Sequence, residues 1–423
     1  MRWFFSLLVL LPLFPALSVS EGADIAALRL LIPIAALGWL VTGLQRRRVA
    51  FPLAPPVLCV TAFIAFAALS FLWAEAPAFA FRKSAFFLSL LPVVLLVPLL
   101  APRAVLRALV LGSLASSSIG LAVFFLQFPF GGDSVMAAIQ SAAPILWGGA
   151  SARAAFQFPS WFVDLGGATV LRAFIPFPDP HTAALFWGMG ISGALALGGA
   201  WFLGAILSAF AILATFSRGG VAALAVILMA FVAMRFLFGE RLPRRPASPE
   251  LQRGEQAGLR ILQFIGAALL LVTFSAVVFG EPLIGRLAST FDLSEGSNAA
   301  RLSIWQSAAK EAAAHPLLGA GLGGFASAVD PSGGFRVPSN AHSTYLEIAA
   351  ELGIIGFVLF VSALGTAIAM AVRRARTSRA HAGIALALLF FAAHAVFETD
   401  LYSPPNFVAL LVLLTLAGSN ARK

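Results

Sequence analysis

The chain has 423 residues, of which 60% are hydrophobic and 11% charged, and its mean hydropathy is +0.94. A soluble domain carries about 25% charged residues, so the composition excludes a soluble globular protein and leaves no room for a separate soluble domain. The net charge of +10 does not indicate nucleic-acid binding, because the basic residues sit in short turns between apolar runs, the pattern of cytoplasmic loops in membrane proteins.

A spanning helix needs about 20 mostly apolar residues. Twelve runs meet that length or approach it: 3–19, 26–44, 52–73, 84–101, 104–127, 182–199, 201–216, 220–238, 261–280, 344–371, 380–397 and 403–418. The expectation is an all-α polytopic membrane protein, with residues 1–423 as a single integral membrane domain. The first run also reads as a cleaved signal sequence ending near Ala16-Leu17-Ser18, which would leave eleven spans and the same orientation downstream. Arg46-Arg47-Arg48, Arg103, the 239–260 segment, Arg373-Arg374-Arg376-Arg379 and Arg422-Lys423 fall on one side. By the positive-inside rule that side is the cytoplasm, with both termini there.

This topology places two long loops outside, residues 128–181 and 281–343, and the turn at Ser217-Arg218 with them. The first loop is rich in Phe, Trp, Gly and Pro and suits the membrane interface. The second contains an expected amphipathic helix, capped by Ser297 or Asn298, with Leu302, Trp305, Ala309 and Ala312 as one stripe. His315-Pro316 ends it, and Gly319, Gly321, Gly323 and Gly324 make a turn. The lone Cys59 lies in an apolar run, so there is no disulfide framework and no thiolate metal site.

Several residues have the chemistry of a site. Arg218, followed by Gly219 and Gly220, opens a helix whose free N–H groups suit a phosphate; the same residue reads equally as an arginine snorkelling to the head-groups. Arg301 offers a bidentate fork for phosphate oxygens, or a solvated partner for Glu295 or Asp292. His342 is the best general-base candidate, since a neutral imidazole accepts a proton near neutral pH. Tyr345 or Glu347 would orient its ring; a hydrogen-bonded interfacial histidine is the plainer alternative. Asp179 and His181 sit beside Pro178 and Pro180, which read as a turn. Arg153, Arg172 and Arg336 are further external arginines. Glu398-Thr399-Asp400 offers two carboxylates to a cation, but interface polarity accounts for them as well. Asp-x-Asp, a Walker loop, a Gly-x-Ser-x-Gly elbow and a His-Glu-x-x-His pair are all missing.

Four motifs follow one another in order: Ser217-Arg218-Gly219-Gly220, Arg301-x-x-Ile304-Trp305, His315-Pro316-Leu317-x-Gly319-x-Gly321, and Asn340-x-His342-x-x-Tyr345-Leu346-x-x-x-x-Glu351-x-Gly353-x-x-Gly356. In this order they resemble the bacterial O-antigen ligases and the related O-antigen polymerases, over about residues 180–365 and, by general architecture, the first five spans. The resemblance implies a GT-C-type inner-membrane glycosyltransferase working on the periplasmic side. Its donor would be an undecaprenyl-diphosphate-linked glycan and its acceptor a lipid A-core sugar or, in a polymerase, another repeat unit. Arg218 and Arg301 would engage the diphosphate and His342 would activate the acceptor hydroxyl. Ser217, Gly219, Asn340 and Tyr345 would line the substrate, with Arg153, Arg172 and Arg336 nearby. No cofactor or metal is implied, and the reaction would invert the anomeric carbon. Ser343 departs from the asparagine that many members carry there.

A transporter or flippase is the reading from another class. It expects intramembrane charge, yet only Arg29, Arg82 and Arg107 fall within or close to the early spans. A metal-dependent transferase using Glu398 and Asp400 would lose activity to a chelator. The ligase is preferred by a small margin over the polymerase.

Overall fold

The computed structural model describes residues 2–20, 23–46, 51–157, 160–165, 167–238, 296–330, 340–399 and 401–419. The expected span 261–280, the basic segment 239–260, Asp292, Glu295, Arg336 and Asp400 lie outside the described residues.

Helix α1 (Arg2–Leu10) is followed by a hairpin of β1 (Ala16–Ser20) and β2 (Ala23–Ala26). The first apolar run therefore does not continue as one helix. Pro12 and Pro15 remove backbone donors and interrupt it, and the strand pairs Ala16 with Ala26. α1 packs against the long α6 named below, with Phe4 and Leu8 fully buried.

Next come α2 (Leu28–Gln45), α3 (Pro55–Leu69), α4 (Pro77–Leu90), the short α5 (Val93–Leu96) and α6 (Pro102–Phe130). α3, α4 and α6 each carry proline in the first turn, where its missing N–H has no partner to lose. The segment expected as an interfacial loop instead folds into α7 (Gly132–Trp147), α8 (Gly149–Gln157) and a hairpin of β3 (Phe162–Leu165) and β4 (Ala168–Leu171). Gly131 and Gly148, at positive φ, separate these helices. α9 (Pro180–Leu197), α10 (Trp201–Ala214) and α11 (Arg218–Phe238) follow. After the undescribed stretch come α12 (Gly296–Ala314), α13 (Gly324–Val329), α14 (Thr344–Ala375), α15 (Arg379–His394) and α16 (Pro404–Ala417).

Among the described residues the protein is mostly helical, and six helices there are long and apolar enough to cross a membrane: Leu28–Gln45, Pro55–Leu72, Pro77–Leu99, Pro102–Phe130, Arg218–Leu237 and Thr344–Ala375. Arg2–Leu13, Trp201–Ala214, Arg379–His394 and Pro404–Ala417 are shorter apolar helices. Large apolar side chains such as Ile34, Leu203 and Phe236 point outward, as expected of surfaces facing lipid.

α9 sits at the centre, packed on α6, α10 and α15. Small residues allow the backbones this close. A Cβ on Gly188 would lie 2.0 Å from the Phe390 ring, and one on Gly190 would lie 2.1 Å from Ser113. Serines from α6 and α10 meet across the contact, with Ser117 Oγ 3.1 Å from Ser208 Oγ, and Trp187 Nε1 donates to Ser116 Oγ.

α14 is not one continuous helix. Gly353 has φ 59° and ψ −165°, which breaks it. The backbone groups exposed by the break are taken up by the loop after α12. Ile354 N donates to Pro316 O at 2.9 Å, Gly321 N to Glu351 O at 2.8 Å, and Ala320 N to Ala350 O at 3.1 Å. Apolar surroundings give such groups no water to bond, so they must be paired within the protein. The glycines of the two motifs serve this junction. A Cβ at Gly319 would lie 2.3 Å from the Glu351 backbone, and one at Gly353 would lie 2.4 Å from Leu317 O. Gly353→Ala is therefore expected to destabilise the protein by at least about 1–3 kcal/mol from backbone strain alone, read as a lower midpoint of thermal unfolding in detergent.

Candidate active site

The buried carboxylate of Glu398, in the turn between α15 and α16, draws together residues from distant parts of the chain. Its Oε1 accepts a hydrogen bond from Arg301 Nη2 at 2.6 Å and lies 3.0 Å from His181 Nδ1. Its Oε2 lies 3.2 Å from His342 Nδ1. Arg301, in the second turn of α12, also donates through Nη1 to Phe397 O at 3.2 Å.

His181 is placed by the start of α9. Asp179 caps that helix by accepting from His181 N and Thr182 N, which turns the His181 ring toward Glu398. His181 Nδ1 is also 2.8 Å from Ser217 Oγ, and its Nε2 faces Arg172 Nη2 at 3.5 Å. Arg172 is buried and donates to Thr215 O and Ser160 O at 2.5 and 2.7 Å. Ser217 Oγ accepts from Gly220 N at 3.1 Å, closing the tight turn that starts α11. Arg218 is half-buried and donates to Asn298 Oδ1 at 2.6 Å, which joins the starts of α11 and α12. Gly219 lies against Phe397 and Glu398, where a Cβ would come within 3.1 Å of Phe397 Cβ.

Two non-glycine residues with left-handed backbones flank this centre, Phe216 at φ 51° and His342 at φ 46°. Such conformations persist only where the surroundings over-determine them, and they cluster at functional sites. Around His342 the restraint is visible. Ala341 N donates to Glu347 Oε2 at 3.1 Å, Thr344 N to Ala395 O at 2.9 Å, and Thr344 Oγ1 to Glu398 O at 2.8 Å.

The electrostatics follow from these contacts. Burial by itself would raise the pKa of Glu398, but His181, the hydrogen bond from His342 and the Arg301 guanidinium together hold it well below the usual carboxylate range. The hydrogen bond to Glu398 raises His342 above the usual histidine value, outweighing the effect of burial. The pair is thus an imidazole made more basic by a carboxylate that stays ionised.

Arg301 and His342 meet on one carboxylate, while Arg218, Ser217, Gly219 and Arg172 line the adjoining turn. The ring of His342 is oriented by Glu398 rather than by Tyr345 or Glu347. Tyr345 donates its hydroxyl to Ala392 O at 3.0 Å and packs on Phe360, and Glu347 binds the Ala341 amide. Asn340 is half-buried two residues before His342. Arg153 is exposed on α8, whose main contacts are with α7 and β2 rather than the elements around Glu398. The α12 face turned inward carries Ile304 and the fully buried Ala308. Leu302 and Ala309 of the expected stripe are exposed, because Arg301 must turn toward Glu398.

Glu398 and His181 are the participants that sequence reasoning set aside, one as interface polarity and the other as part of a turn. The Asp179-Pro180-His181 start of a helix was a usable signal, since an acidic cap fixes the direction of the next side chain. At the far end of α12, Glu75, Glu311 and His315 bring three ligand atoms within 4.8 Å of one another, a spacing that one divalent cation could bridge. His315 Nε2 is 3.2 Å from Glu75 Oε1, tying α12 to the turn after α3.

Residues 203–361 match the family model for O-antigen ligase. This is the family that the ordered motifs resemble. A search of the curated proteins finds no match. The matched O-antigen ligase segment includes Arg218, Arg301 and His342 and stops short of Arg172, His181 and Glu398 on either side. The site is therefore completed by residues from outside the matched segment. The match supports, in general terms, an O-antigen ligase- or polymerase-type transfer on lipid-linked glycan substrates by a membrane protein.

Proposed function

We propose that the protein is an O-antigen ligase-type glycosyltransferase, moving a glycan from an undecaprenyl-diphosphate donor to a lipid A-core sugar at the periplasmic face of the inner membrane. In this reading the chain crosses the membrane many times, its C-terminus is cytoplasmic, and residues 281–343 form the catalytic periplasmic loop. The observation that carries it is the meeting of Arg301 and His342 on the buried Glu398, beside the turn that holds Arg218.

A guanidinium has five N–H donors, and Arg301 commits one to Glu398 and one to Phe397 O. Further donors remain for phosphate oxygens, so Arg301 and Arg218 together clamp the donor diphosphate. Their fixed charge offsets the charge that develops as the glycosyl C–O bond breaks, an interaction aimed at the transition state. Nδ1 of His342 is held by Glu398, which leaves Nε2 to take the proton of the acceptor hydroxyl. The hydroxyl oxygen attacks the anomeric carbon from the face opposite the diphosphate. One glycosidic bond forms, one glycosyl–phosphate bond breaks, undecaprenyl diphosphate leaves, and the proton rests on His342. The configuration inverts.

Arg218→Ala and Arg301→Ala are each expected to lower transfer about a hundredfold, the equivalent of about 3 kcal/mol. Turnover of a lipid-linked glycan by the purified protein measures this, and near-wild-type rates would remove the diphosphate clamp. The function itself is tested in a strain deleted for this protein and complemented with the wild type or His342→Ala, with lipopolysaccharide ladders read on a gel. A ligase restores capped lipopolysaccharide. Single repeats that are attached but lengthened only when the protein is present would make it a polymerase, and no glycan phenotype would overturn both.

A further inference from the structure

Behind the catalytic loop lies a second ionic group that the proposed chemistry does not use. Lys83, buried in α4, places Nζ 2.7 Å from Glu351 Oε1 and 3.6 Å from Glu347 Oε1. The same ammonium sits 4.3 Å over the Tyr402 ring, and the Tyr402 hydroxyl donates to Glu351 Oε2 at 3.3 Å. All three charged side chains are at most 7% exposed.

Charge balance does not account for two carboxylates here. Glu351 makes the close ion pair, and one buried anion is enough for one ammonium. A second buried anion is costly to desolvate unless it has its own partners. The close partner of Glu347 is the Ala341 amide, 3.1 Å from Oε2, while its contact with Lys83 is looser. Ala341 is fully buried and directly precedes His342 with its left-handed backbone. Thr344 holds the other side of the histidine through Ala395 O and Glu398 O. Without the Glu347 contact the loop would be restrained on one side only.

We infer that Glu347 is a positioning residue for His342, fixing the loop through the Ala341 amide, and that Lys83 keeps the Glu347 side chain in place. This rests on the proposed role of His342, and two isosteric or charge-conserving variants separate it from a plain ion pair. Glu347→Gln keeps an acceptor oxygen at the same reach and loses the charge. Glu347→Asp keeps the charge and draws the oxygens back by about 1.5 Å, one carbon–carbon bond, too far for the amide.

A positioning role predicts that Glu347→Gln retains transfer within about threefold, while Glu347→Asp loses at least about tenfold in kcat with KM for the donor held within about twofold. The reverse order, equal loss in both, or wild-type rates in both would overturn it. A second measurement does not depend on turnover. Histidine-labelled protein in nanodiscs is titrated by NMR, with the His342 signal assigned from its loss in His342→Gln. In Glu347→Asp the His342 titration is expected to move toward that of free histidine, as its hold on Glu398 loosens; in Glu347→Gln it stays. An unmoved titration in the Asp variant would overturn the inference. If the wild-type protein transfers no glycan, the proposed function falls, and the titration alone decides the role of Glu347.

Discussion

His342→Ala is expected to lower kcat for glycan transfer by about 10²- to 10⁴-fold, the usual contribution of a positioned general base. The proposed donor clamp of Arg218 and Arg301 is left intact, so KM for the lipid-linked glycan should change little. The protein should remain folded, because the ring is half-exposed and only its Nδ1 is engaged. The pH profile gives the sharper check. A base must be neutral to accept a proton, and the hydrogen bond to Glu398 raises His342 above the usual histidine value of about 6.5. The wild-type rate should therefore fall as pH drops through a pKa above 6.5 and level off on the alkaline side. A rate independent of pH across that range would remove His342 from the role of base.

The second large effect is expected at Glu398. Glu398→Gln preserves shape but removes the anion that Arg301, His181 and His342 share. Breaking a buried charge pair by removing one partner costs about 3–5 kcal/mol, so thermal unfolding should move to lower temperature. Transfer should fall on the order of a hundredfold as Arg301 and His342 lose their common anchor. The acid limb of the rate profile moves the other way from a simple loss. Without the carboxylate the pKa of His342 drops, so what activity remains should extend to lower pH than in the wild type. A limb that stays in place would show that Glu398 does not set the basicity of His342.

His342, Arg301 and Arg218 are readable in the sequence because each sits in a short local motif, and Arg301 and His342 do converge on one carboxylate. Glu398 was not readable as their partner. It lies 56 residues beyond His342 and 97 beyond Arg301, and a carboxylate after a membrane helix has the same local signature whether solvated or buried. His181 was hidden in the same way, since Pro178 and Pro180 read as a turn until the capping of α9 shows which way the ring points. The loop glycines were legible as a turn, but not as the seam that mends the broken α14. That seam pairs two stretches of backbone, and backbone pairing leaves little trace in residue type.

Composition and apolar run length by themselves determined a membrane-embedded helical protein, because lipid accepts only backbones that satisfy their own hydrogen bonds. The ordered motifs pointed to the family whose model matches residues 203–361, and to the arginines and the histidine worth testing. Only the tertiary structure decided what orients that histidine, where Arg301 anchors, and which backbone amide Glu347 holds. Those are matters of a few ångströms between side chains far apart in the chain. They are set by how α9, α12, α14 and α15 pack, which periodicity and motif spacing do not encode.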